Sequence, residues 1–321
     1  MGLTDEQQQI RSKGIGGSEI GAVVGASRYV SQFDIWLRKT GREAPREDND
    51  YTTAGNDAEP GLIKRIERET GYWLIGTPDG SLTHRHPIHP IVIATPDALM
   101  SNGVRQAVAE VKAPHPRNTQ EWGEAGTADI DPQYIPQVQW EMGCTGTSLA
   151  HVACFGWPTK LYVVPFHQRF FEVLVERAER FWRDHVETGK PPQIEATETA
   201  KAWLKHAYPG HVQGEWASAD SDTEALVAEL RLLKGEADLT KARRADIEVL
   251  LKAYIGDKEG LRSTHGSISY REQKGSTKTD WQALAEELRA PQDLIEKHTR
   301  IVRNSRRLVT PRDWKQGDSD E

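Results

Sequence analysis

The sequence predicts a mixed α/β fold with a mainly helical C-terminal extension, and three observations lead there. Through about residue 190, short apolar runs of strand length are separated by Gly and Pro. Between those runs lie amphipathic stretches in which apolar residues recur every three or four positions. After about residue 193 the strand-like runs thin out, and a long stretch of helical period takes over. A central mixed sheet flanked by helices is therefore expected over residues 1–192. Residues 193–321 are expected to form a helical arm with a small β-hairpin and a basic end.

The elements follow in order. Ser18 suits the cap of a short helix, Glu19 to Val24, stopped by Gly25. Ser31 and Asp34 have the spacing of a capping box and open a helix through Trp36 and Leu37 to Gly41. A third helix runs from about Asp57 to Glu69, with Leu62, Ile63 and Ile66 on one face. Ile91 to Ala94 reads as a strand broken by Thr95-Pro96-Asp97, and Ala107 to Val111 as a strand between Asn102-Gly103 and Pro114. Pro136 suits the first turn of a helix reaching Gly146. Strands are then expected at His151 to Phe155 and Leu161 to Pro165, followed by a helix from Phe170 to Val186. In the extension, Asp222 to Tyr254 reads as one long helix or a helical hairpin interrupted at Gly235. A hairpin is expected from Ser267 to Tyr270 and Lys274 to Thr279, then a helix around Trp281 to Leu288.

Composition narrows the function classes. With 37% hydrophobic and 28% charged residues the chain fits a soluble protein, and no apolar run approaches the roughly 18 residues of a membrane span. The first ten residues lack a basic segment followed by an apolar one, so no secretory signal is expected. Two cysteines, Cys144 and Cys154, are too few for a disulfide framework or a four-thiolate cluster, which fits a reducing cytoplasm. A net charge of −7 argues against indiscriminate coating of nucleic acid, since that affinity comes from neutralising phosphates.

The chemistry is expected at Asp97 and Glu110-Val111-Lys112. Side chains alternate along a strand, so Glu110 and Lys112 share one face while Val111 points into the core. Carboxylates at Asp97 and Glu110, with the Val111 carbonyl, offer hard oxygen donors to a divalent cation. Lys112 would then orient an attacking water or offset charge on a phosphorane. Taken alone, an acid thirteen residues before Glu-x-Lys is a common pattern in a chain this charged. Upstream, Gly14, Gly16 and Gly17 precede Ser18, a segment where backbone and hydroxyl can approach an anion, with Arg11 seven residues before.

Several segments in order give the pattern its specificity. Gly14-Ile15-Gly16-Gly17-Ser18-Glu19-Ile20, Trp36-Leu37-Arg38-Lys39-Thr40-Gly41, Gly55-Asn56-Asp57-Ala58-Glu59-Pro60, Ala94-Thr95-Pro96-Asp97, Glu110-Val111-Lys112 and Gln137-Val138-Gln139 follow one another. Together they resemble the YqaJ-type viral recombinase nucleases, the group of phage lambda exonuclease, within the PD-(D/E)xK superfamily. The resemblance spans roughly Arg11 to Gly156 and implies a restriction-endonuclease-like core. It implies catalytic roles for Asp97, Glu110, Lys112, Glu59 and Gln137, with Gln137 near the reacting water or the DNA backbone. The metal would rest on Asp97, Glu110 and the Val111 carbonyl, as Mg²⁺ or Mn²⁺ and as two ions. Arg11 and Ser18 would hold a 5′-terminal phosphate.

The activity so implied is 5′-to-3′ digestion of double-stranded DNA ends that leaves 3′ overhangs, in a phage- or prophage-encoded protein of a bacterial host. Its expected partners are a single-strand annealing protein and further copies of the chain, in a ring. Two other readings use the same residues: a structure- or site-specific endonuclease, and a catalytically silent module that binds DNA ends. Arg300, Arg303, Arg306 and Arg307 are expected either to track a DNA backbone or to form a solvated face. His84, His86 and His89 lack partnering cysteines and make a poor tetrahedral zinc frame. Trp122 and Trp140 are expected to pack in the core rather than stack on bases.

Overall fold

A computed structural model of the chain describes residues 9–43, 50–76, 83–114, 121–156, 158–272 and most of 280–298. The helices of the first part are α1 (Gly17–Val23), α2 (Gln32–Lys39), α3 (Asp50–Thr70), α4 (Ile135–Thr145), α5 (Gln168–Phe181) and α6 (Glu198–Ala207). Its strands are β1 (Trp73–Gly76), β2 (His84–Arg85), β3 (Ile93–Ala94), β4 (Ala98–Ser101), β5 (Gln106–Lys112), β6 (Leu149–Cys154) and β7 (Lys160–Pro165). Five strands form one sheet in the order β1-β4-β5-β6-β7. Only the β5–β6 pair is parallel, because the chain crosses over through α4 between them. The expected mixed sheet flanked by helices is present.

Strand β5 explains the layering. Ala107, Ala109 and Val111 face α3, where Leu62, Ile63 and Ile66 build one core layer. Val108 faces the other way, among Val138 and Met142 of α4. Glu110 and Lys112 continue this second face, so the period of two delivers both toward α4. A third apolar layer joins α1, α2 and α5 through Ile20, Phe33, Ile35 and Leu174. Each fully buried large aliphatic or aromatic side chain contributes about 1.5–3 kcal/mol, which holds the helices to the sheet.

Several elements differ from expectation for identifiable reasons. Asp97 does not end the preceding strand; it lies just before β4, which the sequence reading missed because Thr95-Pro96 looked like the start of a loop. β3 is only Ile93–Ala94 and pairs with β2 outside the main sheet. Helix α1 is capped at Gly16 rather than Ser18, and the Glu19 carboxylate accepts the Gly16 amide at 2.8 Å. The box at Ser31 and Asp34 is present, with each side chain bonding the other's backbone amide. Helix α3 begins at Asp50, before the expected Asp57, with Pro60 inside it. Gly41, Gly71 and Gly146 take positive φ where α2, α3 and α4 end.

The chain divides into two compact units at Tyr208, rather than at the expected boundary of 192/193. The displacement has a packing cause: Ala200 is buried in the α1–α2–α5 layer, and Trp203 packs against it. The second unit holds α7 (Ser221–Ile255), the hairpin β8 (Gly260–Ser263) with β9 (Gly266–Ser269), and α8 (Gln292–His298). Gly235 does not interrupt α7. The partner of β9 lies before it in sequence, while residues 274–279, expected as that partner, lie outside the described residues. Arg300, Arg303, Arg306 and Arg307 also lie outside them. No helix among the described residues is long and apolar enough to cross a membrane.

Candidate active site

The site forms where β4, β5 and α4 meet. Asp97 enters β4 and accepts the Val111 amide on Oδ2 at 2.7 Å, which ties the two strands at their ends. Lys112 extends back along β5, and its Nζ donates to Glu110 Oε1 in a close ion pair and to Gln137 Oε1 at 3.0 Å. Gln137 Nε2 donates to Glu110 Oε1 at 2.6 Å and to Glu141 Oε1 at 3.0 Å. The Lys112 ammonium also lies 5.0 Å from the centre of the Tyr134 ring. Glu59 approaches from α3 near enough for its charge to act on Asp97. All five expected core residues are thus brought together: Asp97, Glu110 and Lys112 from the strands, Gln137 and Glu59 from the helices.

Their electrostatics follow from burial and from one another. Burial, then the Glu110 charge, holds the Asp97 carboxyl well above the usual carboxylate range, although Lys112 opposes the shift. Glu59 is raised chiefly by burial. For Lys112 burial disfavours the charge, but Glu110 and Asp97 outweigh it and leave the ammonium harder to deprotonate than usual. Lys112 therefore carries its proton at neutral pH, and its chemistry is that of a fixed cation and hydrogen-bond donor, not of a base.

Glu141 is the residue that sequence reasoning missed. It is 1% exposed, and burial followed by the Glu110 charge raises its carboxyl well above the usual range. Its position was readable in principle, since it stands one helical turn after Gln137 on the same face of α4. Gln139 is structural: its amide donates to the Pro165 carbonyl and its Oε1 accepts the His167 amide.

Oxygen donors of this kind suit a hard divalent cation. Among the described residues, Glu110 Oε2 and Glu141 Oε2 are buried without a hydrogen-bond partner. Two carboxylates and a carbonyl match Mg²⁺, which keeps several waters and needs few protein ligands. No three His, Cys, Asp or Glu side chains among the described residues gather into a self-sufficient cage. The donor set fits a hydrated ion.

The glycine-rich segment is built onto the same site. Ile15 donates its amide to Ile91 and accepts from Ile93, a parallel bridge that places Gly14 against the Ile91 carbonyl, where a Cβ would lie at 2.4 Å. The fully buried Trp140 indole donates to the Ile15 and Ile93 carbonyls at 3.1 Å each, pinning this segment to α4. Trp140 and Trp122 are thus core residues. Gly17 runs so close to Glu141 that a Cβ would meet its Oε1 at 2.4 Å. Ser18, the second residue of α1, accepts a hydrogen bond from Arg11 Nη2 at 2.9 Å. Lys39 is buried here and donates to the Arg11 carbonyl at 2.8 Å and to Glu19 at 2.7 Å. The structure therefore brings Arg11 and Ser18 together, in the segment whose Gly17 lies against Glu141.

Of the other candidates, His86 Nδ1 accepts the Ile88 and His89 amides in a turn, and His89 pairs with Glu179. Cys144 and Cys154 are buried free thiols, raised by burial to about 12 and about 11.

Known proteins match this chain in sequence, and solved structures align with part of it. Residues 6–148 match the family model of the YqaJ-like viral recombinase domain. The uncharacterized protein YqaJ of Bacillus subtilis (strain 168) is 24% identical over 261 residues, covering 79% of this chain and 79% of that protein. Among solved structures, the alkaline exonuclease LHK-Exo from Laribacter hongkongensis aligns with a TM-score of 0.46 at 20% identity, over 58% of this chain and 94% of that one. A phage related exonuclease from Haemophilus somnus 129PT aligns with a TM-score of 0.38 at 12% identity, over 55% of this chain and 96% of that one.

Proposed function

We propose, from the match of residues 6–148 to the YqaJ-like viral recombinase domain, that the protein is a divalent-metal-dependent nuclease that digests the 5′-ended strand of duplex DNA ends. The observation that carries this reading is the hydrogen-bonded group of Glu110, Lys112 and Gln137, with Asp97 accepting the amide of the intervening Val111. Asp97, Glu110 and the Val111 carbonyl would hold Mg²⁺ or Mn²⁺. A bound cation supplies neutralisation of the charge that builds on the phosphate during hydrolysis. Glu59 adds negative charge to the same pocket and favours binding of a second ion.

The chain's own residues supply the rest. Lys112 presents a permanent positive charge and directs N–H bonds toward the attacking water or a phosphate oxygen. Gln137, held between Glu110 and Glu141, fixes the direction in which Lys112 points. The Arg11 guanidinium matches a terminal phosphate, which carries more charge than an internal one, and the Ser18 hydroxyl completes that contact. Holding the end there would set one strand's scissile bond over the carboxylates and leave the other strand as a 3′ overhang. A single-strand annealing protein, as partner, would take that product.

Strand-specific end-labelled duplex, incubated with and without Mg²⁺, tests the proposal. Loss of nucleotides from the 5′-ended strand is expected only with the metal, and rapid cutting of a covalently closed circle would overturn the exonucleolytic mode. Arg11→Ala and Ser18→Ala are expected to slow digestion of 5′-phosphorylated ends by about tenfold or more, with little effect on 5′-hydroxyl ends. Equal losses on both substrates would remove the terminal-phosphate pocket from the proposal.

A further inference from the structure

The segment Trp36-Leu37-Arg38-Lys39-Thr40-Gly41 contains a charge that the nuclease reading does not use. Lys39 ends α2, a helix capped at Ser31 and fixed in the core by Phe33, Ile35 and Leu37. Its side chain is 4% exposed and pairs with the 7% exposed side chain of Glu19 at 2.7 Å. Burial works against the ammonium and lowers its pKa, while the Glu19 charge opposes that shift. An apolar pair of similar volume would fill this space as well or better, so packing gives no reason for two charges here. Their hydrogen bonds supply one.

The Lys39 ammonium also donates to the Arg11 carbonyl at 2.8 Å. Glu19 Oε2, which accepts from Lys39, accepts the Gly16 amide at 2.8 Å as well. The Arg11 guanidinium rests on that glycine: a Cβ on Gly16 would meet Arg11 Nη2 at 2.9 Å. From there Nη2 donates to Ser18 Oγ at 2.9 Å. Lys39 thus holds the Arg11 backbone directly and, through Glu19, the backbone surface beneath the Arg11 side chain. Packing alone would hold this stretch loosely, since Gln9, Ser12 and Lys13 are exposed and Ile10 and Arg11 only half-buried. An arginine loses much side-chain freedom when it grips an anion, and fixing it beforehand lowers that cost. Lys39 cannot itself be the gripping group, because its ammonium is enclosed and already bonded to two oxygens. Ser18 is exposed, so the Arg11–Ser18 contact is the part of this network open to a ligand.

We propose that Lys39 is a positioning residue for recognition of the DNA 5′ end: paired with Glu19, it fixes Arg11 beside Ser18 in the geometry that meets a terminal phosphate. The inference rests on the terminal-phosphate reading of Arg11 and Ser18. It is read, on the full chain with Mg²⁺, from the ratio of kcat/KM for 5′-phosphorylated over 5′-hydroxyl duplex. A general loss of folding or catalysis lowers both rates and leaves that ratio alone. Lys39→Met by itself strands the buried Glu19 charge, so the decisive variant is Lys39→Met with Glu19→Gln, whose amide oxygen still accepts the Gly16 amide. Lys39→Gln, a shorter side chain that keeps a polar donor near Glu19, is the second variant, and thermal melts confirm that each folds. The parent is expected to favour the phosphorylated end by about tenfold or more. The double variant is expected to lose most of that preference, as Arg11→Ala does, and Lys39→Gln to lose part of it. Folded variants that keep the parent's ratio while Arg11→Ala loses it overturn the role of Lys39 and leave the phosphate reading standing. A parent without the preference overturns that reading and this inference with it.

Discussion

Lys112→Gln is expected to lower the rate of end digestion by about 10²- to 10³-fold, the scale of losing one preorganised charge-stabilising donor. The substitution removes a cation whose proton is held by Glu110 and Asp97 and which lies 3.0 Å from Gln137 Oε1. Since the interaction strengthens as negative charge builds on the phosphate, the loss falls on kcat and leaves KM for DNA ends nearly unchanged. Glutamine is chosen because it still donates to Glu110 Oε1. Truncation to alanine would take from Glu110, 2% exposed, both the cation and the donor in its place, a defect of about 3–5 kcal/mol that threatens the fold itself. Single-turnover digestion of end-labelled duplex, with thermal melts of parent and variant, separates the two effects. A folded Lys112→Gln variant that retains turnover within about tenfold of the parent would remove Lys112 from the chemistry.

How much of this site was legible depended on whether its residues obey a local period. Glu110, Val111 and Lys112 alternate across β5, so their common face followed from the sequence, as did the Ser31–Asp34 box. Gln137 and Glu59 came from resemblance, because no local rule brings α4 and α3 to the end of β5. Residues whose role is set by tertiary approach were missed. Glu141 joins the network through Gln137, one helical turn before it, but its burial depends on the α1 segment, where Gly17 lies against it. Lys39 reaches the Arg11 carbonyl across 28 positions of sequence. The strand β4 was hidden by Thr95-Pro96, and its pairing with both β1 and β5 overrides that local signal. In the second unit the helical period along α7 was visible in the sequence, while its exposure needed the structure.

In a chelating buffer the parent protein is expected to lose stability as pH rises above the ordinary carboxylate range. Asp97→Asn combined with Glu141→Gln is expected to flatten that loss. Both carboxyls have pKa values raised well above normal, each first by burial and second by the Glu110 charge. A raised carboxyl binds its proton more tightly folded than unfolded. Its stabilisation is complete below the unfolded pKa, about 4, and disappears as pH climbs through the folded value. Each such group gives a slope of at most about 1.4 kcal/mol per pH unit inside that window. The amide side chains keep the hydrogen bonds of the acids they replace: the asparagine oxygen can still accept the Val111 amide, and the glutamine oxygen the side-chain amide of Gln137. Thermal melts across the window check this, and parallel profiles for parent and double variant would sink it. Adding Mg²⁺ favours the ionised carboxylates, so it is expected to stabilise the parent more at the upper end of the window than at the lower. The double variant lacks the carboxylate at 97 and is expected to respond weakly at every pH. A site that were merely a structural ion-pair cluster would show no such gain with metal, which makes the metal response the sharper half of the test.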